Sequence, residues 1–381
     1  MDGGGAATTQ SVAILGAGPI GLACALLLAT RGIGSQVVDA RSLEQARQDR
    51  RLLALSRGTV QLLTGLLGPR FAPMASILEV HVSSSGQLGA TRLTSGDFGG
   101  AALGATVWYA DLVQALAHAA DADANIAVRR PRRVADIEQR ADSVLIGLED
   151  SSRIQASIAI NAEGAATNGQ AASSTALLAD LEVDGLAAGT AVERFTREGP
   201  LALLPLPGAP AGRKSMIWCL NHQTAQQRIA SSDSEFVKTI QATLGPRIGR
   251  VTSVGPRRAF PLVQQRRARV REYRVVYIGN AAQSLHPVAG QGFNLGMRDC
   301  VCLADCLADT WNDPLAALFR YESARKADRF AILGFTGALP DLFASRLAPI
   351  AVARSIALLA FDLAAPLRRS LSSLLMFGVR H

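Results

Sequence analysis

The sequence predicts an α/β fold, and three observations predict it. A short apolar strand, a glycine-rich turn and an apolar helix follow one another over residues 11–32. The same order of strand, glycines and helix recurs from residue 275, more than 250 residues downstream. The third is size: 381 residues exceed one small core and suit two or three interleaved lobes. Hydrophobic residues at 49% and charged residues at 18% give the balance of a globular chain.

The first element is "SVAIL", a short buried strand. The turn Gly16-x-Gly18-x-x-Gly21 and the helix "LACALLLATRG", ending at Gly32, follow it. Gly16 permits the tight turn, Gly18 lets backbone approach a pyrophosphate, and Gly21 lets the helix pack close to the strand. The helix start adds about half a positive charge facing the phosphates. Ser11 to Thr30 is uncharged over twenty residues, nominally enough to span a bilayer. Three glycines and a proline interrupt it, and Asp2 precedes it in place of a basic lead, so it is expected to be neither a membrane helix nor a signal peptide. The next strand, "SQVVDA", ends in Asp39, 18 residues beyond Gly21, where a carboxylate suits the hydroxyls of an adenosine ribose. Arg41 either touches the adenine end or is an ordinary solvated arginine. Together these residues predict dinucleotide binding, and the pattern fits FAD as well as NAD.

The second unit bears on that choice. A strand at 275–278 runs into "GNAAQSLHP", and Gly290-Gln291-Gly292-Phe293-Asn294 opens a long helix. The positive end of that helix suits an isoalloxazine ring, whose pyrimidine edge becomes negative on reduction.

The rest of the composition excludes more than it assigns. The net charge of +8 fits an anionic partner or simple solubility, and aromatic residues at 5% argue against a base-stacking surface for nucleic acid. The five cysteines show no zinc spacing and read as reduced packing residues. His81, His118, His222 and His381 have no metal-ligand spacing, and no nucleophile elbow or P-loop lysine motif occurs.

Gly279-Asn280-Ala281-Ala282-Gln283, His286-Pro287 and Ala289 to Gly296 resemble the second FAD motif of the flavin-dependent aromatic hydroxylases, the superfamily built like para-hydroxybenzoate hydroxylase. Asparagine and glutamine, where most members carry aspartate and histidine, resemble its ubiquinone-biosynthesis branch. "DRRLLALSRGTVQLL", "ERFTREGPLALLPL", "RRAFPL" and "RYESARKADR" agree in order, so the likeness covers nearly the whole chain.

The resemblance implies a Rossmann-like FAD-binding lobe made of residues 9–75, 100–168 and 269–335. It implies a mainly antiparallel substrate-binding sheet in 76–99 and 169–268, and a helical C-terminal segment over 336–381. It places Arg51 near the cofactor, Asn280 at the ribityl or phosphate region, and Pro287 beside the reactive C4a edge. The backbone N–H groups of Gly292, Phe293 and Asn294 would meet the pyrimidine end of the flavin. His286 is either a proton relay on the substrate side or a residue fixed structurally before a proline.

Three stretches depart from the family pattern. Ala162-Glu163-Gly164 stands where members carry A-D-G, with Thr167 and Gln170 where a serine and an arginine are usual. Ala110 stands where an arginine or glutamine usually reaches FAD. The stretch from Gly164 to Glu193 is short for the family, an alanine-, serine- and threonine-rich passage that stands in place of a fuller substrate-lobe strand and its turn.

The resemblance implies an FAD-dependent monooxygenase that takes electrons from NAD(P)H, uses O2 through a C4a-hydroperoxyflavin, and hydroxylates the ring of a polyprenylphenol. No acid–base pair or covalent catalyst is expected. An alternative is a flavoprotein of reduced activity, or an apo scaffold subunit among other ubiquinone-biosynthesis proteins. A reductase of the geranylgeranyl type shares the first glycine unit and fits the second less well. "MDGGGAATTQ" reads as a flexible lead. The apolar tail from Phe343, with Arg346, Arg354, Arg368, Arg369 and Arg380, reads as amphipathic helices that close the substrate lobe and are compatible with peripheral contact to an anionic bilayer. A cytoplasmic protein, peripheral on the inner membrane face, is the corresponding expectation.

Overall fold

Strand Val12–Leu15 is apolar at every position and buried at every position, which requires cover on both faces of its sheet. The computed structural model, which describes residues 11–85, 90–164, 174–263, 265–284 and 290–344, supplies that cover. The strand lies inside a six-stranded sheet with Ile158–Asn161 and Val275–Tyr277 on one side and Ser35–Val38 and Ile126–Arg129 on the other. These five pair in parallel, and the short edge strand Arg271–Glu272 is antiparallel. Helix Pro19–Ala29 begins with proline at its first position, where the missing N–H costs nothing, and every residue but Ile20 is buried. The segment that is long and apolar enough for a bilayer is thus a strand, a turn and a core helix. No helix among the described residues is long and apolar enough to cross a membrane.

A second sheet has eight strands and is antiparallel except where Thr190–Phe195 pairs with Glu79–Ser84. One face packs on helix Asp233–Leu244, where Phe236, Ile240 and Leu244 meet Leu177, Met216 and Trp218. A reciprocal capping box between Ser232 and Glu235 starts that helix.

Strand Ser174–Asp184 corrects the expectation that the stretch from Gly164 to Glu193 lacks a full substrate-lobe strand: at eleven residues it is the longest among those described. The reason is its place in the middle of the sheet. It pairs with Arg213–Leu220 on one side and with Arg250–Val254 and Arg258–Leu262 on the other, so Leu177, Ala179, Leu181 and Val183 alternate into the core.

Helix Gln291–Asp309 lies against helix Pro19–Ala29. A Cβ on Gly296 would come within 2.8 Å of Ile20 Cδ1 and 3.0 Å of the Gly279 Cα, so two of the glycines singled out in the sequence serve close packing of chain on chain. Helix Pro314–Ala344 follows, and the predicted boundary at 336 falls within it. All five cysteines are free, and four are buried. The lead at 1–10, Thr167, Gln170, His286, Pro287 and the arginine-bearing tail beyond 344 lie outside the described residues.

Candidate cofactor and substrate cavity

The glycine turn after the first strand divides its labour. Gly16 has a φ of +102°, and a Cβ there would stand 2.7 Å from the Ala162 carbonyl oxygen. One on Gly21 would stand 1.9 Å from the Gly16 oxygen, so both positions are closed to any side chain. Gly18 lines the cavity, and a Cβ there would crowd the Tyr109 hydroxyl at 3.2 Å. Asp39 braces the turn, one carboxylate oxygen accepting from the Ala17 N–H at 2.7 Å and the other from the Arg41 N–H at 2.8 Å.

Tyr109 was not legible as a site residue. It is the first residue of helix Tyr109–Asp121, and its side chain, not that of Ala110, is the one this helix start turns into the cavity. Arg41 donates to its hydroxyl at 3.4 Å, and the Arg51 guanidinium, paired with Asp49 at 2.6 Å, lies 4.9 Å from its ring centre. Arg130 supports the glycine turn from outside the cavity lining. It donates to the Ala17 carbonyl at 3.3 Å, while its Nη1 is buried with no partner. Its strand reaches the turn only because Ile126–Arg129 neighbours Ser35–Val38 in the sheet, which sequence does not reveal.

Glu163 lines the same end of the cavity. Partial loss of solvent at the cavity wall, with the side chain still exposed on one side, and the neighbouring Asp39 carboxylate raise its pKa above the ordinary glutamate value. A raised carboxyl pKa costs nothing at acid pH, where folded and unfolded chains both hold the proton. Stability is lost as pH rises from the unfolded to the folded pKa, and the loss persists above. Glu163→Gln is therefore expected to match the parent's melting temperature near about pH 4 and to exceed it near about pH 8. An equal difference at both pH values in thermal melts would contradict this.

At the other glycine-rich segment, Gly290 takes a left-handed φ of +59° with Ala54 Cβ only 2.9 Å from where its own Cβ would be. No side chain caps helix Gln291–Asp309, so its first N–H groups, those of Gln291, Gly292 and Phe293, have no intrahelical acceptor. Asn294 acts differently from the sequence expectation. Its side chain accepts from the Ser56 N–H at 2.8 Å and donates to the Ala54 and Gly290 carbonyls at 3.0 and 2.8 Å, clamping strand Leu52–Ser56 to the helix mouth. Being fourth in the helix, its N–H falls to the Gly290 carbonyl. Asn280 lies beside the mouth, its Oδ1 4.0 Å from where a Gly292 Cβ would stand. Asp299 fixes that turn from beneath, accepting from the Gly279 N–H and the Gln283 amide, each at 3.1 Å.

These parts border one cavity of about 930 Å³. Gly16, Gly18, Asp39, Arg41, Arg51 and Glu163 line one region, and Asn280, Gly290, Gly292, Phe293 and Asn294 another. Gly21 lies in the packing behind it. Part of the remaining wall is one face of the eight-stranded sheet, and strand Leu52–Ser56 with Ile77 and Leu103 lines the rest.

A protein-family model described as "FAD binding domain" matches residues 9–333. The chain belongs to the FAD-binding domain family. Within that family it stands among the FAD-dependent monooxygenases and hydroxylases. "Ubiquinone hydroxylase UbiL" of Rhodospirillum rubrum is 29% identical over 96% of this chain and 89% of its own. "3-demethoxyubiquinol 3-hydroxylase" of Escherichia coli is 28% identical over 94% of this chain and 96% of its own. Among solved structures, PqsL of Pseudomonas aeruginosa, described as a probable FAD-dependent monooxygenase, superposes with a TM-score of 0.75 at 19% identity, covering 92% of this chain and 99% of PqsL.

The residues present fit that family's cofactor. Both Gly18 and Gly292 line the cavity; a Cβ on Gly292 would enter open space, whereas one on Gly18 would crowd the Tyr109 hydroxyl at 3.2 Å. The N–H groups of Gly292 and Phe293 at the uncapped helix start are placed to donate to an anionic or acceptor group.

Proposed function

We propose that this FAD-binding domain protein hydroxylates the aromatic ring of a polyprenylphenol in ubiquinone biosynthesis, using NAD(P)H and O2. The ring chemistry would be that of a 2-polyprenyl-6-methoxyphenol hydroxylase. The observation that carries the proposal is the continuity of the cavity, which runs from the glycine turns to an apolar sheet wall bearing Val80, Leu93, Ala202, Leu204 and Ile217.

In this reading, Gly16 to Gly18 and Asp39 hold the dinucleotide end, and the N–H groups of Gly292 and Phe293 receive the ring. FAD would supply the redox chemistry that no side chain here offers, accepting a hydride from NAD(P)H and activating O2. The protein positions the phenol, excludes water and stabilises negative charge at the helix mouth. Glu163 lies beside Asp39 at the dinucleotide end and takes no part in the ring chemistry. The apolar wall favours a substrate drawn from lipid, where each buried CH₂ is worth about 0.8 kcal/mol. Peripheral attachment to the inner face of a membrane, and contact with other ubiquinone-biosynthesis proteins, belong to the same proposal.

The test is turnover of the FAD-loaded protein with a short-tailed polyprenylphenol, NADH or NADPH, and isotopically labelled O2. The expected product carries one labelled oxygen on the ring. NAD(P)H consumption that yields only peroxide across a panel of prenylated phenols would refute the substrate assignment.

A further inference from the structure

The register of the eight-stranded sheet assigns every side chain to one of two faces. In strand Thr190–Phe195, Val192 points into the core with Leu203 and Met216, its partners across two strands. The alternate residue, Glu193, therefore points to the other face. There it stands directly between Val82 of strand Glu79–Ser84 and Ala202 of strand Pro200–Pro205, and Ala202 is followed across the sheet by Ile217. Glu193, Val82, Ala202 and Ile217 all line the cavity. Among the described residues, Glu193 is the one ionisable side chain that this sheet gives to the cavity.

A half-buried carboxylate in the middle of an apolar strand face is unfavourable for the sheet. Glutamate is a poor strand former, and desolvation disfavours its charge. A valine or leucine would fill the position better. What a carboxylate adds is hydrogen-bond acceptance: two oxygens with about four lone-pair sites and no donor, so it can engage a protein neighbour and still receive a ligand hydroxyl.

We infer that Glu193 is a specificity-determining residue that accepts a hydrogen bond from the hydroxyl of an aromatic ring seated on this face, so selecting phenols over their methyl ethers. The inference rests on the proposed phenolic substrate. It adds to that proposal the residue that reads the hydroxyl and fixes the ring's rotation on the wall. An ether oxygen has no proton to donate and would leave the carboxylate facing a methyl group. Hydrogen bonds to charged groups contribute enough that discrimination of about tenfold to a hundredfold is expected.

The test uses the FAD-loaded protein and two probes, a phenol bearing a short prenyl tail and its methyl ether, with dissociation constants read from the change in flavin absorbance. The parent is expected to prefer the phenol at least about tenfold. Glu193→Gln, which keeps an acceptor oxygen, retains part of that preference. Glu193→Leu loses it while keeping its affinity for the ether, its FAD content and its melting temperature. A Glu193→Leu protein that holds FAD and still prefers the phenol as strongly as the parent overturns the inference and leaves the substrate class standing. A parent protein that holds FAD and binds neither probe overturns both. If Glu193→Leu fails to fold, the Glu193→Gln protein decides the matter, because an undiminished preference there removes the charged acceptor from the account.

Discussion

Asp299→Ala is expected to destabilise the protein by about 3–5 kcal/mol, the cost of removing one partner from a buried ion pair. Asp299 is fully buried and accepts from Arg325 Nε at 2.7 Å, with side chains on both sides almost wholly out of water. Burial disfavours the Arg325 cation, whereas Asp299 and Asp328 hold it charged, so its pKa is raised on balance. Without Asp299 the guanidinium keeps only Asp328, and the Gly279 N–H and the Gln283 amide lose their acceptor. Asp299→Asn, which preserves acceptance but not charge, is expected to lose less. Urea midpoints measure both. The consequence extends to the cavity, because the turn that Asp299 braces is the one that places Asn280 beside the helix mouth.

Gly292→Val is expected to lower FAD affinity at least about tenfold while leaving stability within about 1 kcal/mol of the parent. A Cβ at Gly292 meets nothing nearer than Asn280 Oδ1 at 4.0 Å, so the fold has room for it, but it enters the space before the uncapped N–H groups. Gly296→Ala is the contrasting case. Its Cβ would press on Ile20 and on the Gly279 backbone, and overpacking of this kind costs about 1–3 kcal/mol. Thermal melts and the FAD content of the purified variants separate the two. A Gly292→Val protein that retains its full complement of FAD would show that the helix mouth is not where the flavin lies.

The first glycine turn was legible because every part of it is contiguous. Strand, turn and helix follow within twenty residues, and Asp39 ends the very next strand, so spacing alone carries the geometry. The second turn was legible as a motif but not in its division of labour. Nothing in "GQGFNLG" distinguishes Gly290 and Gly296, which pack on chain, from Gly292, which opens to the cavity; that depends on Ala54, Ile20 and Gly279, which lie far away in sequence. Tyr109 was hidden by a single residue of helix phase, since whether residue 109 or 110 faces inward depends on where the helix begins. Arg130 and the pairing of Asp299 with Arg325 depend on which strands and helices become neighbours. Glu193 was visible in the sequence, and its alternation with Val192 could be read there. Which of the two faces borders the cavity could not, because that follows from how the sheet sits on the glycine turns.

The visible absorption spectrum of the freshly purified protein, with the released flavin quantified, tests the central claim most directly. The account predicts a yellow protein carrying close to one FAD per chain, despite Glu163 and Ala110 at positions where this sequence departs from its family. A colourless protein that cannot be reconstituted with FAD would contradict it.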